Sequence, residues 1–191
     1  LVGTQLLSKG FHFPNLNCIV VVDGDFSSHG YDLRSAEKNV QLYHQLSGRA
    51  GRENNSSKIY FQTYTPDNDI LLNITKNDPH IFLEKELSLR KEKNLPPFSR
   101  LISIIISGQD EPNIMNYAIN IKKILPKIKG VEVLGPVLAP IAKLNKRYRC
   151  RILIRYPKNV FIQKYLSQSL NNTKSIAGIK LEVDVDPINF S

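Results

Sequence analysis

The 191 residues hold two cysteines, one methionine and no tryptophan, and the 41% of apolar side chains never gather into a run near the roughly 18 that a membrane span needs. The start of the chain also lacks the basic-then-apolar pattern of a secretory signal. These absences predict a cytoplasmic protein with no membrane partner. Cys18 and Cys150 lie far apart in separate strand-like runs, which argues against a disulfide framework or a zinc site made from this chain alone; both read as small core hydrophobes. An ordinary apolar fraction beside 23% charged residues excludes a disordered or collagen-like chain.

Acidic residues are scarce in the second half. Residues 1–98 balance 11 Lys and Arg against 11 Asp and Glu, whereas residues 99–191 carry 15 against 6, so the whole excess of +9 sits there. A basic domain beside a neutral one points to a polyanion partner for the basic part. The chain opens Leu1-Val2-Gly3-Thr4, which reads as the end of a strand already in progress and predicts a fragment.

The first part reads as α/β. Asn17 to Asp23 is a β-branched run of the kind found in a fully buried parallel strand, and Asp32 stands as cap of a helix beginning near Leu33, with Val40, Tyr43 and His44 opposite a polar face. Lys58 to Tyr64 is a second strand, so a crossover joining parallel strands is expected. Pro66 and Asp67 open a long helical stretch, interrupted near Pro79 and stopped by Pro96-Pro97. The rhythm then changes to strand 101–107, helix 112–128, strand 131–134, strand 147–156, helix 158–170 and strand 179–185, the βαββαβ order of a ferredoxin-like α+β domain. Ile114, Ala118, Ile121, Leu125 and Ile128 supply the apolar stripe of its first helix. The predicted organisation is 1–66, 67–98 as a helical connector, and 99–191.

Two places carry chemistry. Gln45, Arg49 and Arg52 in Gln45-Leu-Ser-Gly-Arg-Ala-Gly-Arg52 share one helical stripe if the helix continues that far, and two guanidiniums there make a site for phosphate oxygens. For two arginines alone a solvated basic helix end is the better reading; the full Gln-x-x-Gly-Arg-x-Gly-Arg pattern reverses this in favour of the phosphate site. In the second half, Lys143, Lys146, Arg147, Arg149, Arg151, Arg155 and Lys158 fall in a stretch without a single acid. Period two puts Arg147, Arg149 and Arg151 on one face, about 6.6 Å apart, and Tyr148, Cys150, Ile152 and Ile154 on the other. Such a row can follow a phosphate backbone without reading sequence. A charged edge strand that prevents aggregation is the alternative.

The arginine-rich segment resembles the sixth motif of superfamily 2 helicases, and Gly3-Thr-Gln-Leu-Leu-Ser-Lys-Gly-Phe-His-Phe-Pro14 resembles the fifth. More specifically, the chain resembles the PriA (primosomal protein N′) family of replication-restart helicases. Asp32-Leu-Arg-Ser-Ala-Glu37, Leu95-Pro-Pro-Phe98, Leu134-Gly-Pro136, Ala139-Pro140 and Val183-Asp-Val-Asp-Pro187 carry that resemblance onward in order. It implies the C-terminal half of a RecA-like helicase lobe, a parallel sheet with helices, joined to a smaller basic DNA-binding domain. The activity implied for the parent protein is ATP-driven 3′ to 5′ unwinding of branched DNA at stalled forks, together with primosome assembly. By the same resemblance Arg52 is the arginine finger, Arg49 a second γ-phosphate ligand, Gln45 positions phosphate or water, and Gly10 approaches the nucleotide cleft. Thr4 and Gln5 touch the DNA backbone, while Lys143, Lys146, Arg147, Arg149 and Arg151 grip DNA.

The implied ligands are branched and single-stranded DNA, with single-strand binding protein and other primosome components as partners. ATP and Mg²⁺ belong to a site that needs the first helicase lobe, whose Gly-x-x-x-x-Gly-Lys-Ser/Thr and Asp-Glu-x-His motifs do not occur in these residues, so this chain is predicted inactive by itself. The family's zinc module has no ligands here. His12 replaces the acidic residue of many superfamily members and either orients an arginine or is a satisfied buried histidine; His29, His44 and His80 show no metal-ligand spacing. Cys150 stands where relatives often carry tryptophan, leaving Tyr148 as the nearest aromatic. Outside this family, a stand-alone nucleic-acid-binding module left by a split or decayed helicase gene also fits. A fork-reversal helicase shares the two motifs but does not account for Leu-Pro-Pro-Phe or Asp-Val-Asp-Pro.

Overall fold

The structure is a computed structural model that describes residues 2–4, 16–25, 33–47, 58–68, 71, 72, 74, 79–125 and 127–188. The chain divides into two compact units, Leu1–Leu87 and Ser88–Ser191.

In the first unit, β1 (Cys18–Val21) pairs in parallel with β2 (Lys58–Phe61), and α1 (Ser35–Ser47) lies between them in sequence. Val40 and Tyr43 of α1 are buried, and the Tyr43 ring meets Phe61 edge-on with centroids 4.9 Å apart. The β-branched run does not form a strand buried on both faces. Along β1, half-buried Ile19 and Val21 alternate with exposed Cys18 and Val20, because the described sheet has two strands and α1 packs on one side. Cys18 is therefore exposed and not a core residue. Of the expected long stretch, residues 71, 72 and 74 are helical and α2 spans Pro79–Glu92, across the division at 87/88. Pro79 stands at its first position, where a missing N–H costs no helical bond. Asp32 lies outside the described residues.

The second unit contains β3 (Ser99–Gly108), α3 (Glu111–Ile124), β4 (Glu132–Leu144), β5 (Arg147–Pro157), α4 (Ile162–Asn171) and β6 (Lys180–Val185). Its sheet order is β4-β5-β3-β6 and every neighbouring pair is antiparallel, so the expected βαββαβ domain is formed. Ile102, Ile104 and Ile106 of β3 oppose Ile154, Ile152 and Cys150 of β5. All six are fully buried with Ile114, Ala118 and Ile121 of α3 and Ile162 and Leu166 of α4. Each large aliphatic side chain so buried contributes about 1.5–3 kcal/mol, which fixes the register of the central pair. Asp110 caps α3 by accepting from the Asn113 amide at 3.1 Å. That helix ends at Ile124, short of the expected 128, although Ile128 still packs on the core.

Other boundaries differ from expectation as well. Strand β4 runs on to Leu144, through a register shift between Leu134 and Val137 that absorbs Gly135 and Pro136. Gly135 has φ +91°, and a β-carbon there would come within 2.8 Å of the Arg151 carbonyl oxygen, so glycine is required at that bulge. Helix α4 begins at Ile162 and not at 158. The β4–β5 loop is only Asn145 and Lys146, both at positive φ, as a two-residue hairpin of the right twist demands. Beyond β6, Asp186 takes φ 54°, donates its amide to the Leu101 carbonyl at 2.8 Å and receives a bidentate contact from Arg100, closing the end of the domain.

Candidate nucleic-acid interface

The loops that leave the carboxyl ends of β1 and β2 are tied together, and in open α/β sheets that end is where ligands bind. Asp25 is the knot. Its carboxylate accepts from Thr63 Oγ1 and Thr65 Oγ1, both at 2.5 Å, and from the Tyr64 amide at 2.6 Å, which together hold its pKa down to about 2. Gly24 donates to the Gln62 carbonyl at 2.7 Å and Tyr43 Oη to the Gly24 carbonyl at 3.4 Å. The sequence marks no site at Asp25, Thr63 and Thr65; its one local signal is a Thr-x-Thr shortly after Phe61, the last residue of β2.

Of the residues expected at the nucleotide, Gln45 is described. It sits exposed near the end of α1 and lines a shallow cleft with Glu37, Val40, Gln41 and His44 of the same helix and Phe82 and Leu83 of α2. Arg49, Arg52 and Gly10 lie outside the described residues, as do Gln5 and His12. Thr4 is exposed.

The basic run folds as β5, which is flanked by β4 on one side and β3 on the other. It is thus an interior strand, and the reading of it as a charged edge is overturned. The period-two split is as expected: Cys150, Ile152, Ile154 and Tyr156 point into the core, while Arg147, Arg149, Arg151, Leu153 and Arg155 share the opposite face and are half-buried. On the neighbouring strand Ser107 is opposite Arg149 and Ser103 opposite Leu153, and the two serines are 7% and 3% exposed despite facing away from the helices.

The arginines of that face are not equivalent. Arg147 Nη2 donates to the Ser107 carbonyl at 2.9 Å and the Gly178 carbonyl at 3.0 Å, so it binds β5 to β3 and to the loop entering β6. Arg155 Nη1 donates to the Lys93 carbonyl at 2.8 Å, and its Nη2 pairs with Glu132. Arg149 and Arg151 lie between these two anchors. Burial, and then the charge of Arg149, push the Arg151 pKa below the ordinary arginine value.

Lys143 belongs to the other side. It is directly opposite Tyr148 across the hairpin, with Nζ 4.6 Å from the ring centroid, whereas Arg147 is opposite Leu144. Lys146 occupies the exposed turn. The arginine face is also not uniformly basic, since β6 brings exposed Glu182 and Asp184 into register with Ile105 and Ser103. Positive charge therefore runs along β5 toward the hairpin tip and falls away across the sheet toward β6.

Among the described residues no three His, Cys, Asp or Glu side chains are grouped to hold a metal ion, and no helix is long and apolar enough to cross a membrane.

The family described as Primosomal protein N C-terminal domain matches residues 91–188, and the helicase conserved C-terminal domain matches residues 1–54. Replication restart protein PriA of Rickettsia typhi is 42% identical over 190 residues, which cover 100% of this chain and 29% of that protein. The proteins of the same name from Haemophilus influenzae and Bacillus subtilis are 32% and 31% identical, over 100% and 98% of this chain and 27% and 24% of their own lengths. The chain thus spans less than a third of the relatives it matches.

Proposed function

The chain belongs to the primosomal protein N (PriA) family, and on that premise we propose that it is the rear portion of a cytoplasmic, ATP-dependent 3′ to 5′ DNA helicase that recognises branched DNA at stalled forks and starts primosome assembly. In this reading residues 1–66 are the second half of a helicase lobe, 67–98 a connector and 99–191 the DNA-gripping domain. Arg52 is the arginine finger, Arg49 a second ligand of the γ-phosphate, and Gln45 positions the phosphate or the attacking water. Thr4 and Gln5 couple the DNA backbone to that site, and Gly10 lets the chain approach the nucleotide. A guanidinium is suited to the task because negative charge spreads over the transferring phosphoryl group, and a fixed cation there lowers the barrier without having to reorganise.

In this reading the nucleotide's Mg²⁺ needs the first helicase lobe, and the zinc belongs to another module of the parent protein. Single-strand binding protein and the other primosome components are the expected partners. Half of a composite site is predicted not to hydrolyse ATP alone.

The observation that carries the DNA reading is the pair Arg149 and Arg151 on one face of an interior strand, within a stretch of chain that has no acidic residue between Glu132 and Glu182. Side chains two positions apart on a strand are spaced at about 6.6 Å, close enough to the spacing of successive phosphates for both to engage one backbone. The test is fluorescence anisotropy of labelled forked DNA over a range of salt concentrations, comparing the chain with an Arg149→Glu/Arg151→Glu variant. The expected result is weaker binding and a log–log salt slope smaller by about two. Equal affinity and slope would sink the assignment of this face.

A further inference from the structure

We propose that the outward stripe of α4, formed by Phe161, Lys164, Tyr165 and Gln168 with Lys158 just ahead of it, is a binding site for single-stranded DNA, on the opposite side of the sheet from Arg149 and Arg151. The inference rests on the reading that this domain binds DNA and adds a second, chemically different surface to it.

Helix α4 buries Ile162 and Leu166 in the same core as Ile104 and Ile152, so it lies on the helix side of the sheet. Lys164, Tyr165 and Gln168 share one face of the helix by their 1, 3 and 4 spacing, Phe161 stands just ahead at the N-cap, and all four residues are exposed. Phe161 is 81% exposed and Tyr165 54%. Neither ring contributes to the described core.

Phe161 occupies the N-cap of α4 and makes no side-chain capping bond. Asp, Asn, Ser or Thr at that position would satisfy an orphan amide, so a large aromatic there serves neither helix nor core. Two aromatic rings one turn apart with a lysine between them make a stacking platform with a phosphate partner. Single strands can use it because their bases are unpaired and present free faces, whereas bases in a duplex do not.

Charge complementarity selects the occupant. At α4 the cations are Lys158 and Lys164, the helix itself has no acidic residue, and the chain from residue 133 to 181 has no Asp or Glu at all, while Arg147, Arg149, Arg151 and Arg155 serve the far face. An acidic peptide would find the cations but would gain nothing specific from two exposed flat rings. The two sides of the domain thereby divide a branched ligand, with duplex phosphates along β5 and an unpaired arm along α4.

The experiment uses the whole chain with a labelled oligothymidylate and, separately, a blunt duplex. The variants are Phe161→Asn, which removes the ring while improving the cap and so protects the fold, along with Tyr165→Ala and Tyr165→Phe. Loss of each ring is expected to weaken oligothymidylate binding about tenfold, to leave duplex affinity within about twofold, and to be rescued by Tyr165→Phe. Lys164→Ala should lower the salt slope for oligothymidylate by about one. Because the sequence has no tryptophan, tyrosine emission is directly readable, and part of it should be quenched by oligothymidylate in the parent but not in Tyr165→Phe.

Unchanged oligothymidylate affinity in Phe161→Asn and Tyr165→Ala overturns the site, even if Arg149→Glu/Arg151→Glu still abolishes duplex binding. That outcome would leave the DNA reading of the domain intact. Equal losses on both ligands would also overturn it, since a stacking site discriminates between them. A parent chain that binds neither ligand would bring down both this site and the DNA reading beneath it.

Discussion

One guanidinium nitrogen of Arg147 is shared between two carbonyl oxygens, those of Ser107 at 2.9 Å and Gly178 at 3.0 Å, one on β3 and one just before β6. The residue that opens the basic strand is therefore a structural tie. A hydrogen bond from a charged donor contributes about 1.5–3 kcal/mol, and partial exposure places this pair near the lower end. Arg147→Ala is expected to lower the urea midpoint clearly, whereas Arg149→Ala should weaken DNA binding more. Urea unfolding and anisotropy on the same two variants check this; the reverse pattern would show that Arg147 is a ligand contact.

Acid should loosen the first unit locally. The Asp25 carboxyl has a folded-state pKa of about 2 against 3.8 in the open chain, because the Thr63 and Thr65 hydroxyls and the Tyr64 amide stabilise its charged form. A depressed carboxyl stabilises the fold fully above its unfolded value, and that contribution disappears as pH falls from about 4 through about 2. The protection factor of the Gln62 amide, which donates to the Val21 carbonyl at 3.0 Å, should fall over that window. In Asp25→Asn the same amide should already be less protected at neutral pH, and its protection factor should change little with acid.

Where the pattern is local, the sequence discloses the structure. Alternation of arginine with Cys150, Ile152 and Ile154 is a period-two signal, and the strand it predicts forms with the core on the predicted side. The α3 stripe through Ile114, Ala118 and Ile121 is equally local and equally legible. What escapes is set by distant partners. Cys18 reads as core because a β-branched run suggests a strand covered on both faces, yet exposure depends on what lies beside and above the two-stranded sheet. The continuation of β4 past Gly135 and Pro136 escapes because those residue types ordinarily end a strand, and here they form a bulge against β5. The Arg147 tie and the Asp25 knot join residues 31 to 40 positions apart, so no window along the chain contains either. Whether β5 is an edge or an interior strand is likewise a property of the sheet order, invisible in β5 itself.

The proposed finger is tested in the complete protein, where the first lobe is present. Arg52→Ala should reduce DNA-stimulated ATP hydrolysis by about 10³–10⁵ while leaving nucleotide affinity within severalfold, because the charge it meets develops during phosphoryl transfer. Arg52→Lys should not rescue, since a point charge cannot reproduce the planar fork. Retention of more than about a tenth of the parental rate would remove Arg52 from the catalytic machinery.

The two thiols report on different units. Cys18 is exposed on β1, whereas Cys150 is fully buried on β5 and burial pushes its pKa up to about 11, so it is both inaccessible and protonated in the folded state. With a disulfide reagent near neutral pH, one equivalent should react at once and a second only as the ferredoxin-like core opens. Ile104→Ala, which truncates a fully buried partner in that core, should cost about 2–5 kcal/mol and speed the slow phase without touching the fast one. Cys18→Ser should abolish the fast phase alone. If the second thiol reacted as rapidly as the first in native buffer, the packing of β5 against α3 and α4 would be wrong, and with it the placement of the arginines on the far side of the sheet.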